Sequence, residues 1–233
     1  MEDFGGTGYT DQIGADSGKS SLCFIVLDPS VLQGHTANSW ATWKESTPFK
    51  GGARYGLTAT IEDAAHNNRK NAIQYILLHE LGHVVSVNNR FHPSWKVDAK
   101  DVGSTAAFPF FELSWTLSAD RKRYVSRFDT AFPQRKDVAY YFGAKLPASA
   151  MADVYAALEK TNFATLYSAT TPLDDFAEAF ASYVHGVLMQ RPFEIRITRN
   201  GAIEKVYASC WSQPRCADKR RLLEQFLQAE RKS

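Results

Sequence analysis

"QYILLHELGHVVSV", residues 74–87, sets two histidines and a glutamate inside a run that is otherwise almost wholly apolar. On a helix, residues four apart lie about 40° from one another, so His79 and His83 leave the same face one turn apart. Glu80 lies about 100° around from His79. Imidazoles so placed can share one metal ion, and the glutamate can reach a water on that ion without ligating it. In that arrangement zinc lowers the pKa of the water and the glutamate takes its proton. Ile73, Ile76, Leu77, Leu78, Leu81, Val84, Val85 and Val87 cover most of the circumference, so a buried helix is expected, where unpartnered polar groups are costly. Metal coordination offsets that cost. Zn2+ is therefore the expected cofactor, with His79 and His83 as ligands and Glu80 as general base.

The helix is expected to start at Asn67 or Asn68 as cap and to stop at Asn88-Asn89, ahead of Pro93. A catalytic zinc site takes three protein ligands and leaves one position open. The extended pattern H-E-x-x-H-x-x-G-x-x-H is not met, because Ser86 stands at its glycine and Asn89 at its last histidine. A glutamate from a second helix is the other common solution, and the best candidate is Glu178 in "TPLDDFAEAFASYVHGVL" (171–188). Thr171 with Asp174 forms a capping-box variant, Pro172 takes the first helical position, and two aspartates complement the dipole. Glu178 points away from the apolar stripe of Leu173, Phe176, Phe180, Val184, Val187 and Leu188, which fits a solvated glutamate equally well. Ala177, Ala179 and Ala181 permit close approach of another helix, and Asp174 or Asp175 is placed to orient a ligating histidine from behind.

The two blocks together, H-E-x-G-H and "YSATTPLDDFAEAFASYV" (167–184), resemble the gluzincin metallopeptidases, in particular bacterial zinc-binding peptidases with a similar second motif. Lethal-factor-like catalytic domains carry a comparable F-A-E-A-F stretch. The resemblance covers about thirty residues. It implies a zincin-like fold with His79, His83 and Glu178 as ligands and Glu80 as base. It also implies a tyrosine or histidine that holds the oxyanion: Tyr167 stands where the second motif opens, with Tyr183 and His185 as rivals. His185 lies about 10 Å beyond Glu178 along the axis, suited to line the cleft as a substrate contact rather than to ligate.

The 233 residues fit one domain, 21–233, preceded by a flexible lead-in over 1–20 that is rich in Gly, Ser, Thr and Asp. Residues 14–20 resemble a phosphate-binding loop, but its first glycine falls on Ile13, which excludes it. With 27 basic and 25 acidic residues and a net charge of +2, no electrostatic footprint for nucleic acid is expected. No apolar run reaches bilayer length, and "MEDFGGTGYTDQ" lacks the apolar centre of a signal peptide. Cys210 and Cys216 are close enough to pair; a disulfide would favour a secreted or periplasmic protein, two thiols would not. Cys23 is expected as a buried thiol.

The expected fold is α+β: a small mixed sheet packed on the histidine helix, a mostly helical C-terminal half and a C-terminal hairpin. "SLCFIVLD" (21–28) suits a central strand and "ARYGLTATI" (53–61) a second, whose edge is expected to add the substrate as an extra strand. Residues 91–146 read as loops with short helices, 146–162 as a helix, 193–209 as a hairpin around Asn200-Gly201, and 218–232 as an amphipathic helix. Lys219, Arg220 and Arg221 read as a wet face, and His35, His66 and His92 as solvated. The expected activity is zinc-dependent hydrolysis of peptide bonds in a protein or peptide substrate. Two alternatives stand beside it: a non-catalytic zinc-stabilised binding module, and an amidase acting on non-protein amides such as cell-wall crosslinks.

Overall fold

A computed structural model describes residues 6–13, 22–28 and 30–230 of the chain. The architecture is α+β, with helices and small sheets interleaved: β1 (Gly8–Ile13), β2 (Leu22–Leu27), α1 (Ala37–Ser46), β3 (Tyr55–Thr60), α2 (Arg69–Asn89), α3 (Pro109–Ser114), β4 (Trp115–Leu117), β5 (Tyr124–Ser126), α4 (Met151–Leu158), α5 (Pro172–Tyr183), β6 (Glu194–Arg199), β7 (Ala202–Ala208) and α6 (Ala217–Glu230). No described helix is long and apolar enough to cross a membrane.

The strands form three separate antiparallel sheets rather than one mixed sheet: β1-β2, β3-β6-β7 and β4-β5. "LCFIVL" is not a central strand. Among the described residues it pairs only with β1, and it leaves Leu22 72% and Phe24 38% exposed. Its partner β1 lies inside the stretch expected to be a flexible lead-in; the remainder of that lead-in, 1–5 and 14–20 with the excluded phosphate loop, lies outside the described residues. Cys23 is half-buried in β2. The hairpin β6–β7 turns at Asn200 and Gly201, both at positive φ, and completes the sheet on β3. Helix α1 occupies the outer edge of β3 at its C-terminal end, against the expected addition of a substrate strand there: the Thr42 hydroxyl accepts from the Ala59 N–H at 2.8 Å and donates to its carbonyl at 3.4 Å, and just beyond the strand Asn38 takes the N–H groups of Ile61 and Glu62.

Helix α2 is capped by Asn68, which accepts from the Asn71 N–H at 3.1 Å, and ends on Arg90 in the left-handed region. It packs mainly against α5, α1 and β1, and α1 rather than α2 lies on β3. Its burial departs from the apolar reading at several positions. His79, Glu80 and Ser86 are buried, whereas Leu81 is 43% exposed. The departure follows from the crossing with α5, where Gly82 meets Ala177. A Cβ on Gly82 would stand 2.7 Å from Ala177 Cα and 3.0 Å from its carbonyl oxygen, so only glycine permits this approach.

Two hydrophobic cores flank α5. One, under the sheet, gathers Trp40, Leu57, Tyr75, Tyr155, Ala181 and Ile197; the other joins Phe110, Phe176, Phe180, Trp211 and Leu223. Cys210 and Cys216 are bonded, and their loop leads into α6. Lys219 is not on a wet face: it is fully buried and ion-paired to Asp175, which also accepts from Trp115 Nε1 at 3.0 Å. His92 is likewise buried rather than solvated. Its Nδ1 donates to the Pro93 carbonyl at 2.7 Å, and its Nε2 lies 2.8 Å from the Ser86 hydroxyl that holds the His83 carbonyl.

Two outcomes follow from these contacts. Gly82→Ala gains about 1 kcal/mol of helix propensity but overpacks against backbone that cannot rotate away, at a cost toward the upper end of about 1–3 kcal/mol. We expect a net loss of stability and a fall in melting temperature of several degrees, read by calorimetry. Burial lowers the His92 pKa to about 4, against about 6.5 in the unfolded chain. A histidine held neutral contributes stability that is complete above the unfolded value and declines as pH falls through the folded one. The difference in urea stability between the wild-type chain and His92→Gln should therefore shrink between pH 6.5 and 4, by up to about 3 kcal/mol; a pH-independent difference would contradict this.

Candidate metal centre

One turn apart on α2, the Nε2 atoms of His79 and His83 converge to 3.2 Å. Two lone pairs cannot face each other at that distance without a proton or a cation between them. With zinc–nitrogen bonds of about 2.0–2.1 Å, a tetrahedral angle separates two ligand nitrogens by about 3.3 Å, so the spacing fits. The third atom at this point is Oδ1 of Asp174, 3.9 Å from each Nε2, within a small carboxylate rotation of the same geometry. His79, His83 and Asp174 form one of two clusters among the described residues whose atoms lie close enough to hold an ion. The other, Glu62, Asp63 and His66, is crossed by the guanidinium of Arg191, 3.1 Å from Asp63 and 2.8 Å from His66, which disfavours a cation there.

Glu178, expected as the third ligand, is not among the converging atoms of this cluster. Its Oε1 accepts from His79 Nδ1 at 3.0 Å and from Lys44 Nζ at 3.0 Å, and its Oε2 accepts from the Thr165 hydroxyl at 2.7 Å. The two carboxylates of α5 thus exchange the roles foreseen for them. Asp174 faces the histidine pair, and Glu178 lies behind the ring of His79, where its contact with Nδ1 favours the tautomer with an unprotonated Nε2. They sit one turn apart on α5, to either side of Ala177, which the Gly82 crossing presses against α2. Thr170 and Thr171 donate to Asp174 Oδ2 at 2.9 and 2.7 Å, leaving Oδ1 toward the histidines.

Behind the centre runs a buried line of charge. Lys44 of α1, 4% exposed, bridges Glu178 and Glu45, the latter at 3.4 Å, and its ammonium lies 4.9 Å from the Tyr167 ring centroid. Glu45 accepts the hydroxyls of Tyr140 and Tyr155 at 2.8 Å each. Burial works against the charge of Glu178, but Lys44 and His79 outweigh it and hold the carboxyl below its ordinary range. Burial also opposes the charge of His79, but the bond to Glu178 raises its pKa. His83 is pushed well below the usual value by burial beside His79, and its buried Nδ1 has no hydrogen-bond partner among the described residues. A ring kept neutral beside one that more readily holds a proton can share that proton across the 3.2 Å contact, and a cation binding there would displace it.

Glu80 lies beside this centre under β1. The Thr10 hydroxyl donates to its Oε2 at 2.7 Å, and the Gly8 backbone approaches so closely that a Cβ would stand 3.2 Å from Oε1. Burial raises the Glu80 pKa, opposed by His79 and by Thr10. Thr7, Gly8, Lys44, Tyr141 and Tyr167 enclose a cavity of about 30 Å3 against Glu80 and His79. Tyr167 reaches the site through its ring, stacked on His79 at 5.4 Å and 9°. Its rivals do not. Tyr183 donates to Glu224 at 3.0 Å, and His185 is buried with Nε2 on the Ile61 carbonyl at 2.6 Å rather than lining a cleft. Thr10, Lys44 and Tyr141 carry no sequence signal that would have assigned them here.

Compared with protein-family models, curated proteins and solved structures, the chain matches none. The functional reading therefore stands on this geometry.

Removing each α5 carboxylate separates their roles. Asp174→Asn takes away the carboxylate that faces both Nε2 atoms and should abolish tight zinc binding. Glu178→Gln leaves the ligand set intact and should weaken affinity by roughly 10–100-fold, the usual cost of losing an outer partner of a ligating histidine. Competition titration with a chromogenic chelator measures both; the opposite order would restore Glu178 as the ligand.

Proposed function

We propose that this chain is a zincin-like hydrolase that binds one Zn2+ through His79, His83 and Asp174 and cleaves peptide bonds in a protein or peptide substrate. The observation that carries the proposal is the 3.2 Å convergence of the two Nε2 atoms with a carboxylate facing them and a second carboxylate, Glu80, adjacent. A zinc ion held there would polarise a scissile carbonyl and lower the pKa of an attacking water toward neutrality. Glu80 takes the proton of that water and passes it to the leaving nitrogen. Burial supports this role because it lifts the carboxyl toward the working pH. Thr10 occupies one oxygen of Glu80 and so leaves the other for the proton. Tyr167 holds the plane of His79 by stacking, and its hydroxyl, kept protonated by burial, is the donor we assign to the developing oxyanion.

The gluzincin resemblance is kept in altered form, with an aspartate as ligand and the glutamate one turn later as its support. The Cys210–Cys216 bond favours a secreted or periplasmic setting. A second reading, a zinc-stabilised binding module, draws on the cover that β1 lays over Glu80, 4% exposed. Against it, a purely structural site has no use for a carboxylate beside its ligands.

Glu80→Gln should retain one zinc per chain by metal analysis while turnover falls by about 10²–10⁴-fold. A denatured protein mixture incubated with the wild-type chain, with and without chelator, is then read by mass spectrometry. Chelator-sensitive new termini support hydrolysis of peptide bonds. Their absence supports the binding module or, if cell-wall fragments are cut, the amidase.

A further inference from the structure

Beside the proposed metal centre opens a cleft of about 580 Å3. Two of its walls belong to the site. Trp95 stands edge-on to the His83 ring at 5.9 Å, and Thr170 and Thr171 are the residues whose hydroxyls hold Asp174. The far wall carries Lys122 and Arg123, on the turn between β4 and β5, and Lys136, on the helical turn Pro133–Asp137. All three are exposed, and no ion pair engages any of them among the described residues. The other charges of the lining are already matched: Asp98 has Lys100 at 3.3 Å, and Arg135 has Asp129 at 2.6 Å. In a chain whose 27 basic and 25 acidic residues nearly balance, three cations lining one cleft without a close ion pair among the described residues are a local concentration, offset only by the Asp120 carboxylate near Arg123. They are not a symptom of general basicity.

We infer that this cleft receives an acidic segment of the substrate, with glutamate or aspartate side chains set against Lys122, Arg123 and Lys136 while the adjoining peptide bond lies at the His79–His83–Asp174 centre. The inference rests on the hydrolase reading and gives it a substrate class. Cations at the rim of a cleft are solvated when it is empty, so they contribute to selectivity and encounter rate more than to raw affinity. Trp95 and Tyr124 supply the apolar contact that a peptide of either charge would use.

Two fluorescein-labelled decapeptides of equal apolar content test this, one bearing Glu and Asp at alternate positions and the other Lys and Arg. Each is titrated by fluorescence anisotropy into the zinc-loaded Glu80→Gln chain, and each is offered to the wild-type chain for cleavage. We expect the acidic peptide to bind roughly 10-fold tighter, as for three exposed ion pairs, with the preference falling as salt rises. The triple reversal Lys122→Glu, Arg123→Glu, Lys136→Glu should invert the preference at unchanged zinc content. The milder triple Gln variant should erase it. Equal binding of both peptides, a preference that survives the reversal, or tighter binding of a dT10 oligonucleotide would overturn the inference. Cleavage of both peptides at equal rates would overturn it too, while leaving hydrolysis intact. Charge-selective binding that inverts on reversal, with neither peptide cut, would uphold the cleft and remove the hydrolase reading.

Discussion

The contact between Gly82 and the backbone of Ala177 is the constraint from which the site follows. A missing side chain on α2 lets α5 approach until a methyl group would not fit between them. At that separation the residues flanking Ala177 are brought onto the histidines: Asp174 one turn before, level with the paired Nε2 atoms, and Glu178 just after, level with His79 Nδ1. With ordinary helix spacing both short acidic side chains would fall short. The buried face of α2 therefore carries His79, Glu80 and Ser86 beside Tyr75 and Ile76, and Leu81 is left outside.

Burying these groups demands compensation, and it comes from elements distant in sequence. Lys44 is 134 residues from the Glu178 that it neutralises, and Thr10 is 70 residues from Glu80. Along the line from Glu45 through Lys44 and Glu178 to His79, carboxylates alternate with nitrogen groups and each is hydrogen-bonded or ion-paired. An isolated member would be untenable in that setting; as a chain they support one another and keep His79 in a single orientation. The interior of the molecule is thus organised around a polar thread, with the two hydrophobic cores on either side of it.

What could be read from the residues beforehand was whatever repeats at helical period. The shared face of His79 and His83, the cap at Asn68, the start of α5 at Thr171 and the hairpin at Asn200-Gly201 all rest on local rules, and each lies where those rules place it. The choice between Asp174 and Glu178 was beyond such rules. They are four residues apart and present the same chemistry on the same side, so only the height at which α5 crosses α2 distinguishes them. β1 escaped notice because "GYTDQI" is short and has no apolar alternation, and its one informative contact is tertiary. Lys219 looked solvated because neighbouring arginines are; its partner Asp175 lies 44 residues earlier. The edge of β3 looked available because the side chains that close it belong to a helix, Thr42 and Asn38, and not to another strand.

Adjacent aspartates on α5 point in different directions, about 100° apart around the axis. Asp174 is held toward the histidines, while Asp175 is clasped by Lys219 and Trp115 on another side. Any roll of the helix that tightened one attachment would loosen the other, so the rotational setting of α5 is determined from two sides at once. The C-terminal helix thereby acts at a distance as a counterweight: through Lys219 it fixes the azimuth at which the neighbouring carboxylate meets the imidazoles, although it contributes no atom to that meeting.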